Sequence, residues 1–233
     1  MKRFYKAAAA VAAPDCGWRI DLDGRPVRTP ARTSLAVPSQ ALARGIEAEW
    51  NAQGEKIDPR SMPMTGLANA AIDRVAPDPQ AFGAVLARYA EADLLCYRAE
   101  RPSTLVARQR AHWDPLLGWA RRRFDIDFEI VAGIMHRPQP ASTVERLERA
   151  IHARSPFELA ALSPLVTISG SLVIALALVE EAIDFDAAWS AATVDEAFQA
   201  ENWGEDAEAA ATLEARRLEM QAADGFNRLL REG

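Results

Sequence analysis

Near the N-terminus the hydrophobic pattern has a period of two. Trp18-Arg19-Ile20-Asp21-Leu22 alternates apolar and polar side chains, the mark of a half-buried strand. Asp23-Gly24 follows, a pair favoured at tight hairpin turns. Arg25-Pro26-Val27-Arg28-Thr29 then returns. Pro26 cannot donate to a ladder, so this strand is expected at an edge or with an irregular start. Ser34 to Val37 predicts one more short strand, and the opening reads as a small antiparallel sheet.

Beyond it the period lengthens. Leu42, Ile46 and Trp50 recur at helical spacing behind Ser39, a residue suited to cap a helix. Pro59 and Pro63 bracket a loop, and Leu67 to Arg74 predicts helix. Asp78-Pro79 puts a capping side chain before Pro at the first helical position, and predicts a helix to about Ala90. Leu94 to Tyr97 and Ile126 to Ile134 read as strands. Between them, Ser103 to Phe124 aligns Leu105, Gln109, Trp113, Leu116 and Ala120 on a helix. Pro115 is expected to kink or restart that helix, with Asp114 placed to cap the restart.

Arg137-Pro138-Gln139-Pro140 reads as a linker, and only helices are predicted after it. They cover Ser142 to Ala153, a short stretch from Pro156, an apolar stretch from Ser163-Pro164, Asp186 to Asn202, and Glu205 to Leu230. Gly204 is the natural stop between the last two. The fold class is therefore α+β: a sheet-containing domain over residues 1–137 and an all-helical domain over residues 138–233.

Two apolar runs invite a membrane reading. Leu165 to Val179 is too short to span a bilayer comfortably and is interrupted by Ser169-Gly170-Ser171, so it predicts a buried central helix. Within it those small residues are expected to allow close helix packing. Ala7 to Ala13 behind Met1-Lys2-Arg3 looks like a short secretion signal. Its weak hydrophobicity, the abutting Lys6 and Pro14 after the cleavage point argue against that. The expectation is a protein that is not integral to a membrane.

Charge adds a further feature. Net charge is -6, which excludes a general nucleic-acid binder. From Glu180 to Ala215 the chain is rich in Asp and Glu and has no Lys or Arg, with Trp189, Phe198 and Trp203 interspersed. Helices normally mix both signs, so this stretch gives up local ion pairing. An acidic surface with aromatic anchors suggests a face for a partner. Against that, the segment from Arg98 to Arg123 is rich in Arg and could compensate the acids internally. Sequence leaves both readings open.

Catalytic signatures are missing. There is no phosphate-binding glycine loop, and no G-x-S-x-G elbow. His112, His136 and His152 are isolated, and Cys16 and Cys96 have no metal-like spacing, so no metal or cofactor is expected. Two cysteines so far apart suit a reducing compartment, though a disulfide between them stays open. An enzyme, a hydrolase using a carboxylate pair in the acidic C-terminal half, has only composition behind it. A helical scaffold for another partner is a third class.

Ordered motifs go further. Lys2-Arg3-Phe4-Tyr5 opens the chain, and Leu22 to Pro30 follows. Glu49-Trp50 with Gln53, Met62-Pro63-Met64-Thr65, and Leu67-Ala68-Asn69 come next. Asp93 to Arg98, Gln109 with Trp113-Asp114-Pro115-Leu116, and Glu196 with Gln199 and Trp203-Gly204 complete the set. In order and spacing this resembles the chaperone family that assembles the catalytic head of F-type ATP synthase, in the branch that handles the alpha subunit. The resemblance covers nearly the whole chain. It implies a monomeric, non-enzymatic placeholder, without cofactor, that binds the unassembled alpha subunit and shields its beta-facing surface. It implies a bacterial cytoplasmic location, the mitochondrial matrix being that of eukaryotic relatives. It also implies partner contacts at Glu196, Gln199, Trp203, Gly204 and Trp50; Glu205 and Asp206, acids that suit the helix start after Gly204, are added as candidate contacts. Spacing puts Glu196, Gln199 and Trp203 on one helix face, whereas Trp50 lies on the apolar face of its own helix and reads more readily as core.

Overall fold

The computed structural model describes residues 1–13, 17–133, 135–204 and 206–232; Cys16, Ile134 and Glu205 lie outside them. The fold class is α+β, as the periodicity predicts. The chain forms two compact units, one of residues 1–79, 155–161 and 222–233, the other of residues 80–154 and 162–221. The boundary expected after Arg137 falls inside the second unit. The proline-rich stretch there is held rather than loose. Gln139 donates to the Glu129 carbonyl at 2.9 Å and accepts from the Glu129 N–H at 3.0 Å.

In the first unit, β2 (Gly17–Leu22) pairs antiparallel with β1 (Ala8–Ala13), with β3 (Arg25–Pro26) and with β4 (Ala36–Val37). The alanine run that looks like a leader is β1; a run of nearly uniform Ala carries no apolar–polar alternation that would mark it as a strand. The hairpin turn has positive φ at both Asp23 (49°) and Gly24 (78°), which matches the right-handed twist of the strands. Asp23 also accepts from the Lys6 and Ala7 N–H groups, which hold its carboxyl below the usual range. The expected return strand to Thr29 shortens to two residues, since Arg28 forms only a single bridge, to Ser34.

Helix α1 (Gln40–Asn51) starts at Ser39, whose Oγ accepts from the Leu42 N–H at 3.0 Å. Its Leu42, Ala43 and Ile46 enter a core with Ile20, Leu35, Val37, Ala68, Ala161 and Phe226. Helix α2 (Pro63–Ala70) runs on into a π turn at Ala71–Val75, so the expected helix at Leu67 begins earlier.

The second unit is mainly helical: α3 (Pro79–Ala87), β5 (Tyr97–Arg98), α4 (Ser103–Phe124), β6 (Val131–Ala132), α5 (Ala141–His152) and α6 (Pro156–Ser169) come first. Then follow α7 (Leu172–Val179), α8 (Phe185–Ala192), α9 (Val194–Trp203) and α10 (Ala207–Arg231); α3, α6 and α10 each have residues in both units. Every residue of α7 is buried, and α4 packs against α7, α8 and α9.

Several local expectations change. Leu94–Cys96 is a 3₁₀ turn rather than a strand, and the strand expected over Ile126–Ile134 shrinks to β6 within the described residues. Pro115 does not interrupt α4, because packing on three helices outweighs one missing N–H. Asp114, expected as a cap, instead accepts from Arg98 at 2.7 Å. Pro164 is likewise inside α6. Ser169-Gly170-Ser171 does not run through one continuous helix: Ser169 ends α6, Gly170 at φ 66° makes the break, and Ser171 caps α7 by accepting from the Ile174 N–H. The helix expected over 186–202 divides at Thr193 into α8 and α9.

Candidate functional site

Most of the ordered motif residues have structural work. Met62 offers α2 no side-chain cap, and Glu49 supplies it from α1: its carboxylate accepts from the Met64 N–H at 2.6 Å and the Thr65 N–H at 2.8 Å. Burial pushes the Glu49 carboxyl up, against the pull of those donors. Gln53 bridges the Glu49 carbonyl, the Ser61 hydroxyl and the Asp58 N–H. Asp93, wholly buried, accepts from the Leu95 N–H at 3.0 Å, the Ser171 hydroxyl at 2.7 Å and the Val173 N–H at 3.0 Å. It thereby caps both the 3₁₀ turn and α7, and burial raises its carboxyl. Trp113 donates to the Ala191 carbonyl at 2.8 Å.

Trp50 sits among these structural residues. It packs against the main core and against a smaller cluster of Tyr5, Ala8, Leu22, Ile57 and Met62. Its ring meets that of Tyr5 edge-on at 5.5 Å, and its Nε1 is buried without a hydrogen-bond partner. Trp50 is half-buried, packed against both clusters rather than enclosed in either.

The C-terminal motif differs. Glu196, Gln199 and Trp203 share one side of α9, as their spacing predicts, and they line a groove against α10. The groove has a volume of about 580 Å³ and is also lined by Asp206, Leu213 and Arg216. Trp203 is 78% exposed. Gly204 ends α9 at φ 87°, a left-handed conformation that side chains strain to adopt, although the space beside it is open. Asp206 accepts from the Ala209 N–H at 2.8 Å and so caps α10. Glu205 lies outside the described residues. Leu213 and Arg216 escaped the sequence reading because nothing in α10 marks which side faces α9.

Neighbouring residues hold α9 in place. Gln109 donates to Asp195 at 2.8 Å, and Arg108 forms a two-pronged pair with Glu201 at 2.8 and 2.7 Å. That pair keeps the Glu201 carboxyl low. The basic middle therefore does answer part of the acidic stretch: Arg123 also pairs with Glu180, at 2.6 Å. Arg154 reaches Glu180 at 3.1 Å, and Arg217 reaches Asp186 at 3.5 Å. Among the described residues, Glu196 pairs with Arg216, at 3.7 Å.

The groove is partly open to solvent. Among the described residues no group of three or more His, Cys, Asp or Glu is placed to hold a metal, and no helix is long and apolar enough to cross a membrane. Burial, with Asp93 nearby, pushes the Cys96 thiol up to about 12, which leaves it a poor nucleophile at neutral pH.

Most motif residues thus brace helices, and the remaining ones line the α9–α10 groove. Residues 2–121, more than half of the chain, match the family model for the ATP12 chaperone protein, and the chain belongs to that chaperone family. It is similar along 99% of its length to the crystal structure of Atp12 from Paracoccus denitrificans, at 40% identity and a TM-score of 0.94, covering 98% of that chain. The Atu1473 protein from Agrobacterium tumefaciens is 41% identical with a TM-score of 0.93, over 99% of this chain and 85% of that one. Mitochondrial atp12 of Schizosaccharomyces pombe is 24% identical over 197 residues, 79% of this chain and 68% of that protein.

Proposed function

We propose that this protein is a non-enzymatic assembly chaperone of F-type ATP synthase that binds the unassembled alpha subunit and shields its beta-facing surface until assembly. Family membership supports the chaperone role. The alpha-subunit assignment comes from the sequence resemblance. The observation that carries the site is the α9–α10 groove: Glu196, Gln199 and Trp203 converge there, while other motif residues hold the fold together. A placeholder has a clear physical purpose, since an exposed apolar subunit surface invites aggregation. The proposed contact residues are Glu196, Gln199, Trp203, Gly204, Glu205 and Asp206, with Trp50 acting through the fold. The protein acts as a monomer, in the cytoplasm of a bacterium; the Schizosaccharomyces pombe relative is mitochondrial.

Co-elution on a sizing column tests this. A stoichiometric complex is expected with isolated alpha subunit and none with assembled heads. Equal binding to finished heads would count against a placeholder.

A further inference from the structure

We infer that the α9–α10 groove takes a short segment of the client in which a large apolar side chain lies close to an arginine or lysine. The apolar side chain packs on Trp203 and Leu213, and the base meets Glu196. This rests on the alpha-subunit reading and adds the chemistry of the segment that is gripped.

The first support is apolar. Trp203 is a large side chain left 78% exposed at the mouth of a groove, on a helix whose other aromatic, Phe198, is buried. Tryptophan in a concave apolar setting is a common energetic anchor of interfaces. Leu213 and Ala200 extend the apolar floor beside it.

The second support is charge. Among the described residues the groove carries Glu196, Asp206 and Glu208 against one base, Arg216. Arg216 is already engaged: its Nη2 donates to the Ile168 carbonyl at 2.7 Å. Its Nη1 stands 3.7 Å from Glu196, an ion pair beyond hydrogen-bond length. Glu180 and Glu201 on the same acidic stretch are bound at 2.6–2.8 Å by Arg123 and Arg108. Glu196 therefore keeps acceptor capacity for an incoming guanidinium or ammonium. A purely apolar segment would cover this carboxylate without pairing it, and an acidic segment would be repelled. A second copy of this chain would bring a net -6 protein against its own acids.

The test places p-benzoylphenylalanine at position 203 of the full chain, forms the complex with isolated alpha subunit, irradiates it and sequences the captured peptide. Capture of an alpha-subunit segment with a Leu or aromatic residue and an Arg or Lys within one helical turn is expected. Replacing that base by Glu should then weaken binding to the parent chaperone by about tenfold or more. Glu196→Lys should restore it to within about threefold, as expected when two charges meet directly. Trp203→Phe should bind within about threefold of the parent and Trp203→Ala about tenfold more weakly. If the complex forms but the captured segment has no base, or the capture is of another chaperone copy, or nothing is captured, or the charge swap fails to rescue, the inference is wrong. If no complex forms with the parent protein, the alpha-subunit reading falls and this inference falls with it.

Discussion

Trp50→Arg is expected to destabilise the first unit by roughly 3–5 kcal/mol, the scale for losing a packed aromatic or burying an unpaired charge. The indole contacts two hydrophobic clusters and stacks edge-on to Tyr5. A guanidinium there would lose that packing. It would also sit near Arg3, whose own guanidinium lies 4.7 Å from the centre of the Tyr5 ring. For a chain of this length each kcal/mol lowers the melting temperature by about 2–4 °C, so calorimetry should show an early transition. Weaker alpha-subunit binding would follow from lost structure. Unchanged melting with lost binding would move Trp50 from the core to the contact surface.

Asp93→Ala is expected to cost a comparable amount, roughly 3–5 kcal/mol. The carboxylate is wholly buried, and its removal strands the Ser171 hydroxyl and the Leu95 and Val173 N–H groups. Each buried donor left without a partner costs about 1–3 kcal/mol. Asp93→Asn retains an acceptor oxygen and should lose less. Urea unfolding monitored by circular dichroism would rank the three proteins, and an Ala variant as stable as the parent would remove Asp93 from the account of how α7 begins.

Much of the fold can be read from local rules. Ser39, Asp23-Gly24 and Gly204 do the capping and turning that their residue types predict, and α4 keeps the expected limits despite Pro115. What local reading misses depends on distant partners. β1 is a strand because β2 pairs with it, and an alanine run carries no alternation to reveal that. Leu94–Cys96 turns because Asp93 is tied to Ser171 and Val173, which lie some eighty residues on. Pro138 and Pro140 read as a linker because local sequence does not show that Gln139 closes hydrogen bonds back to Glu129. The site was half legible: helical spacing puts Glu196, Gln199 and Trp203 together, but Leu213 and Arg216 complete the groove only through packing. The acidic stretch reads both ways because its compensation comes from distant residues: some of its acids are bound by Arg108, Arg123 and Arg217, while Glu196 is less closely engaged.

The central claim, that this groove is the working face, is tested most directly by the affinity of Glu196→Lys and Glu196→Gln for isolated alpha subunit at two salt concentrations. Glu196 is partly exposed, so both variants should melt within about 0.5 kcal/mol of the parent. Glu196→Lys should lose more binding than Glu196→Gln, because it adds repulsion where the other only removes attraction. Parent binding should weaken as salt rises, since exposed charges are screened beyond roughly 8 Å at physiological ionic strength. If both variants bind like the parent at either salt, the α9–α10 face is merely solvated and the proposed contact lies elsewhere.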